Sequence, residues 1–174
     1  ICSFTAYIIV LFAMLMLYEG ELLRNSAQKK IYETLAYTDE LTGLSNRAAF
    51  EKTIDEIEAQ KYPEKIILFM GDLNSLKKIN DEQGHDHGDE YIKAAATCLW
   101  QVFKNERGIF RLGGDEFAVI VIGDEKDAKT YYEKLGDVIA EYEEKTGIHV
   151  SMALSHAQSL CTQGYKDLRH DLFR

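Results

Sequence analysis

The order of helix-like and strand-like segments predicts an α+β domain, a ferredoxin-like βαββαβ unit with helices around a mostly antiparallel sheet. Three observations carry this expectation. The apolar run Ile66-Ile67-Leu68-Phe69-Met70 reads as a buried strand. Two further strand-like segments are separated by Gly113-Gly114-Asp115, a hairpin turn signal. Segments of helical period alternate with these strands, and the inner part places its helices on one face of the sheet. No internal repeat or low-complexity run breaks the order.

The elements follow in order. Residues Ile1 to Tyr18 carry no charge and are dominated by Ile, Leu, Phe, Met, Val and Ala. At about 1.5 Å rise per residue they approach the roughly 30 Å hydrocarbon core of a bilayer. A signal peptide would show a basic start and a small-residue cleavage site, and neither is visible. A transmembrane helix over 1–18 is expected, the last span of a longer sensor. Arg24, Lys29 and Lys30 follow closely, which puts that side in the cytoplasm by the positive-inside tendency. In Glu19 to Tyr37, Leu23, Ala27, Ile31 and Leu35 recur four apart on one helical face. This predicts a connector helix over 19–37, with a dimerising signalling helix as the sharper reading.

A domain over 38–174 comes next. Helices are expected over Asn46–Gln60, Ser75–Asn80, Asp86–Phe103 and Glu125–Lys145, and from Gly164 onward. Strands are expected over Lys65–Met70, Ile109–Leu112, Glu116–Ile122 and Ile148–Ser155. Pro63, the single proline, stands just before the first strand. The chain lacks an initial Met and stops within a helical pattern, so a piece of a longer protein is expected.

Composition narrows the chemistry. The chain is 46% hydrophobic and 28% charged, with net charge -9 and a pI of about 5.1. Such a chain has no general attraction for nucleic acid, so no nucleic-acid partner is expected. A phosphate ligand would need a metal ion and a few local Lys or Arg residues. Cys2, Cys98 and Cys161 are far apart, odd in number and form no CxxC pair. This argues against a disulfide framework or zinc site and suits a reducing cytosol.

Two acidic positions stand out. Asp72 directly follows the first strand, and Asp115 and Glu116 occupy the hairpin turn. If the first strand lies beside the hairpin, these carboxylates meet at one edge, where they repel unless a cation joins them. Two carboxylates, a backbone carbonyl and water suit Mg²⁺, a hard ion that also takes substrate phosphates. Gly113 and Gly114 let backbone approach a ligand closely. The plainer alternative is a solvated acidic turn.

Arg111-Leu112-Gly113-Gly114-Asp115-Glu116-Phe117 resembles the signature of the GGDEF family, the diguanylate cyclases. Asp39-Glu40-Leu41-Thr42-Gly43-Leu44-Ser45-Asn46-Arg47 resembles the family's opening DxLTGLxNR turn. Gly71 to Asp81 resembles its metal-and-phosphate segment, Gly84-His85-Asp86-His87-Gly88-Asp89 its GHxxGD, and Val150-Ser151-Met152-Ala153 its VSxG strand.

The resemblance implies a palm fold that condenses two GTP into cyclic di-GMP and releases pyrophosphate. It implies that Asp72, the Leu73 carbonyl and Asp115 hold Mg²⁺, or Mn²⁺ in its place. Asp115, Lys77 and Glu116 would be catalytic, Asp115 as general base and Lys77 at the phosphates. Asn80, His85, Asp89, Gly113 and Gly114 would contact the substrate. Asp89 suits guanine, whose N1–H and amino group are adjacent donors, whereas adenine presents an acceptor there. His85 and His87 form an HxH without a third ligand, a weak transition-metal signal, and His87 is expected to face solvent. A homodimer through the catalytic domain and connector is implied. So is residence at a bacterial inner (cytoplasmic) membrane, with the domain in the cytoplasm.

The chain departs from the family at Asn74, where many members carry a second Asp, at Leu76 for Phe and at Ala153 for Gly. Lys104-Asn105-Glu106-Arg107 replaces the RxxD product-inhibition motif, so both its Arg and its Asp are missing. A degenerate member that binds GTP or cyclic di-GMP as a sensor is the alternative, although Asp72, Lys77, Asp115 and Glu116 are all retained. A different palm-type cyclase or polymerase would need its own substrate-reading residues. A P-loop GTPase is excluded, because no GxxxxGK[ST] occurs.

Overall fold

The structure, a computed structural model, describes residues 2–59 and 65–160. The chain divides into two compact units between Ala36 and Tyr37. The first holds all but the last residue of helix α1, Cys2–Tyr37, whose 36 residues run unbroken through the apolar stretch and the polar one after it. At 1.5 Å per residue it is about 54 Å long. Its large apolar side chains from Phe4 to Tyr18 are all exposed. By length and composition it is apolar enough to cross a membrane.

The second unit contains β1 (Ser45–Asn46), α2 (Arg47–Glu58), β2 (Lys65–Leu73), α3 (Leu76–Gln83), α4 (His85–Phe103), β3 (Gly108–Gly113), β4 (Glu116–Ile122), a 3-10 turn (Glu125–Asp127), α5 (Ala128–Thr146) and β5 (Met152–Leu160). The strands form one sheet in the order β1-β3-β4-β2-β5. The order β3-β4-β2-β5, antiparallel throughout, is that of the expected βαββαβ unit. β1 adds a two-residue parallel rung beside β3, which makes the sheet mixed. Two residues are too few for a period, so this strand gives no sequence signal.

β2 is buried on both faces, which explains its uninterrupted apolar run. Ile67, Phe69 and Leu73 enter a core shared with α4 and α5. Ile66 and Leu68 enter a second core with Phe50, Ile54 and Ile57 of α2. The helices of the inner unit do share one face, but α2 closes the other.

Several boundaries differ from expectation. β2 runs three residues past Met70, because β4 pairs with it to Asp72 and β5 to Leu73. Asp72 therefore lies within the strand, opposite Glu116 and Ala153, and does not follow it. α3 begins after Ser75, whose φ is 65°, and continues to Gln83, where Gly84 at φ 92° stops it. β5 begins at Met152, not Ile148. α5 runs to Thr146, Gly147 ends it with φ 75°, and the Ser151 N–H and carbonyl bond to Tyr91 and Asn74 instead of a strand partner. The helix expected from Gly164 lies outside the described residues.

Phe69 is fully buried, and its ring meets Phe103, Tyr131, Tyr132 and His156. Phe69→Ala should cost about 4 kcal/mol through lost transfer energy and the cavity left behind. Urea unfolding of the two proteins measures this. A midpoint unchanged from wild type would contradict the packing described.

Candidate nucleotide and metal site

The β3–β4 turn brings the signature acids to the end of the sheet. Gly113 (φ 147°) and Gly114 (φ 53°) both take conformations that glycine adopts at little cost. The strand register slips between Arg111 and Gly113, so that Gly113 faces Glu116. Arg111 fastens this irregular turn. Its Nε and Nη2 both donate to the Gly114 carbonyl, at 3.1 and 2.8 Å. Its Nη1 donates to the Asp39 carboxylate at 3.1 and 3.2 Å. Asp39 Oδ1 also accepts from the Thr42 N–H at 2.9 Å and the Thr42 hydroxyl at 2.6 Å. Arg47, opening α2, donates from Nε to the Leu112 carbonyl at 2.9 Å and from Nη2 to Glu116 Oε2 at 3.1 Å.

The segment Asp39–Arg47 is thus a brace beneath the turn, a role that sequence reasoning did not assign. The available signal was two arginines and an aspartate inside the motifs already singled out. Partial burial pushes the Asp39 carboxyl up, but the Thr42 and Arg111 hydrogen bonds and the Arg111 charge outweigh it and hold the group below its ordinary value.

The acids converge from two strands. Asp72 pairs with Glu116 across β2 and β4, and the Leu73 N–H donates to the Asp115 carbonyl at 3.1 Å. Slight burial, then the charges of Asp115 and Glu116, raise the Asp72 carboxyl above its ordinary value. Glu116 is paired with Arg47, but among the described residues Asp72 and Asp115 have no ion-pair partner. A cavity of about 250 Å³ is lined by Met70, Asp72, Glu116, Ala153 and Ser155, with Gly71 and Leu154. Asp115 stands at the turn outside that lining. Ala153 is opposite Asp72 in the register, on the same sheet face.

No three His, Cys, Asp or Glu side chains converge on a metal position among the described residues. The expected ligand set, Asp72, Asp115 and the Leu73 carbonyl, offers oxygen donors alone. An all-oxygen set with un-neutralised like charges and few protein ligands fits Mg²⁺.

Three of the residues expected to contact substrate lie at the α3–α4 junction. Asn80 lies on α3, His85 opens α4 and Asp89 follows in its second turn. The Asn80 amide sits so close to α4 that a Cβ at Gly88 would lie 1.9 Å from its Oδ1. Asn80 is therefore placed one residue from Asp89. Lys77 is the second residue of α3 and is exposed, as are His85 and His87. His87 Nδ1 lies 2.9 Å from the Gln83 carbonyl, a contact within its own neighbourhood.

The stretch that replaces RxxD is engaged inside the domain. Lys104 Nζ lies 5.1 Å from the Trp100 ring centroid. Glu106 accepts from the Tyr131 hydroxyl at 2.7 Å, and burial followed by this bond and the Glu106 charge pushes Tyr131 up to about 12. Arg107 Nη2 reaches Glu56 at 3.5 Å.

The brace makes a pH-dependent contribution to stability. Because the folded pKa of Asp39 is depressed, its stabilisation is present above the unfolded value, 3.8, and is lost as pH falls through the folded value. Asp39→Asn should lose about 2 kcal/mol at pH 7, since a hydrogen-bonded charged group is removed. The gap from wild type should close as pH is lowered below about 3.8. Thermal unfolding at both ends of that range tests it, and a gap that widens toward acid would refute the brace.

Known proteins complete the picture. Residues 36–168 match the family model for the diguanylate cyclase GGDEF domain. An uncharacterized membrane protein of Staphylococcus aureus (strain USA300) is 33% identical over 121 residues, which are 68% of this chain and 33% of the relative. The chain thus spans about a third of the length of the curated relatives it matches. The coiled coil and GGDEF domain of DgcB from Caulobacter crescentus, solved with c-di-GMP, superposes with a TM-score of 0.76 at 23% identity, covering 94% of this chain and 90% of that one. The isolated GGDEF domain of the same protein, also with c-di-GMP, gives 0.68 at 25% identity, covering 79% and 86%. The family match, the sheet order and the glycine turn with its acids together show that this chain belongs to the GGDEF domain family of diguanylate cyclases.

Proposed function

We propose that this chain is the catalytic part of a membrane-tethered diguanylate cyclase, converting two GTP into cyclic di-GMP and two pyrophosphates. The observation that carries the reading is the acid cluster, Asp72 on β2 beside Asp115 and Glu116 of the braced turn, with no cationic side chain paired to Asp72 or Asp115 among the described residues. Retention of all these acids and of Lys77 favours catalysis over a non-catalytic sensor.

The residues divide the work. Asp89 accepts hydrogen bonds from guanine N1–H and the 2-amino group, and Asn80 supplies both a donor and an acceptor beside it. His85 contacts the substrate from the start of α4. Gly113 and Gly114 present backbone without side chains, so substrate can approach the turn. Lys77 stabilises charge on the phosphates as the bond to pyrophosphate breaks. Asp115 takes the proton of the attacking 3′-hydroxyl as its oxygen bonds to the α-phosphorus. Mg²⁺ or Mn²⁺ held by Asp72, the Leu73 carbonyl and Asp115 would lower the pKa of that hydroxyl and neutralise phosphate charge.

The product is symmetric, while one chain offers one base-reading set and one acid set. Two domains facing across a two-fold axis, each holding one GTP, solve this without a repeat. Helix α1 supports the tether. Twelve large apolar side chains from Phe4 to Tyr18 are exposed, and hydrocarbon is the environment that relieves that exposure. Arg24, Lys29 and Lys30 would then lie on the cytoplasmic side of a bacterial inner membrane. The Staphylococcus aureus relatives named as membrane proteins support the same placement. The rest of α1 would act as the connector that holds two domains in register.

Two outcomes test the reading. With Mg²⁺ the protein should make the cyclic dinucleotide from GTP and not from ATP, and Asp115→Ala should lower the rate by about 10³-fold or more. Product quantified by mass spectrometry decides this, and undiminished turnover in the variant would remove Asp115 from the chemistry. Specific activity should also rise with protein concentration. If it stays constant down to concentrations where light scattering shows a monomer, the two-domain mechanism fails.

A further inference from the structure

The corner between β2 and α3 is tied from several sides. It carries Asn74 and Ser75, between the end of β2 at Leu73 and the helix that bears Lys77 and Asn80. The Asn74 N–H donates to the Ser151 carbonyl at 3.0 Å, and Asn74 Nδ2 donates to Ser151 Oγ at 2.9 Å. From α4, two residues beyond Asp89, the Tyr91 hydroxyl closes the triangle. It accepts the Ser151 N–H at 2.9 Å and lies 3.1 Å from the Asn74 carbonyl and 3.0 Å from the Ser151 carbonyl. Its one proton serves these two acceptors. Tyr91 is 5% exposed, so its hydroxyl is shielded from most competition by water. Ser75, next in the chain, holds φ 65°, the one positive φ outside glycine among the described residues. Such a backbone persists only where its surroundings over-determine it.

We propose that Tyr91 is a positioning residue that sets the spacing between the two halves of the nucleotide site. Its hydroxyl joins α4, which carries Asp89, to the corner adjoining Asp72 and Leu73. The inference rests on the nucleotide reading above and adds a residue that reading does not use. A ligand that engages both halves gains from their preset spacing, because the second contact forms at high effective concentration. If the halves shift independently, that advantage is spent on ordering them when the ligand binds. Ligands that engage only one half are indifferent to the spacing.

The test compares whole and part ligands on the complete chain in detergent with Mg²⁺. The probes are 3′-deoxy-GTP, which lacks the attacking hydroxyl and cannot cyclise, guanosine and tripolyphosphate. Tyr91→Phe keeps the ring and removes the hydroxyl. Calorimetry should show 3′-deoxy-GTP weakened about tenfold, with guanosine and tripolyphosphate each within about twofold of wild type. Asn74→Ala, on the exposed side of the same junction, should give the same pattern at about threefold and decides the matter if Tyr91→Phe does not fold. Parallel weakening of all three probes would mean general destabilisation and overturn the proposal. So would unchanged 3′-deoxy-GTP affinity in the variants. A wild-type protein that binds none of the probes would sink the nucleotide reading itself, and this inference with it.

Discussion

The antiparallel pairing of β2 with β4, from Ile66 opposite Ile122 to Asp72 opposite Glu116, is the constraint on which the site depends. Side chains alternate along a strand, so a slip of one residue would turn Asp72 to the opposite face and separate it from Glu116. Burial prevents that slip. Ile67 and Phe69 fill the core under α4 and α5, while Ile66 and Leu68 fill the core under α2. Either face in the wrong register would put apolar side chains where their partners are not. The acids are therefore aligned by hydrophobic burial farther along the same strands.

Alignment alone does not settle the electrostatics. Asp72, Asp115 and Glu116 repel one another, and the fold offsets only part of that. Arg47 neutralises Glu116 and grips the Leu112 carbonyl. Arg111 pairs with Asp39 and turns its remaining donors onto the Gly114 carbonyl. The arginines thus hold the backbone of the turn and, among the described residues, leave Asp72 and Asp115 without an ion-pair partner. The turn is a scaffold held by paired arginines, while slight burial and then like charges raise the Asp72 carboxyl above its ordinary value.

Most of the fold was legible because its signals are local. The run from Ile66 to Met70, the glycine turn at Gly113-Gly114 and the helical period of α4 and α5 each report one element. The errors fell where the deciding partner is distant. β2 extends to Leu73 because β4 flanks it to Asp72 and β5 to its end, although Gly71 and Asp72 are poor strand residues. β5 starts late because Ser151 is bonded to Tyr91 and Asn74, residues 60 and 77 positions away. β1 is two residues long and exists only through its pairing with β3.

For the site, the sequence by itself determined the chemical inventory: which acids, which lysine and which glycines are present, and at what spacing. Residue identity and spacing along the chain are sufficient for that. Only the tertiary structure decided which groups are satisfied and which are left open. Asp39, Arg47 and Arg111 look as functional in sequence as Asp72 and Asp115. Folding pairs Asp39 with Arg111, sets Arg47 on Glu116 and the Leu112 carbonyl, and leaves the other two without a counter-charge among the described residues. Tyr91 shows the converse. It is an apolar position on α4 in the sequence, and it becomes a junction of three segments because Ser151, just before β5, and the β2–α3 corner arrive within hydrogen-bond distance of its hydroxyl.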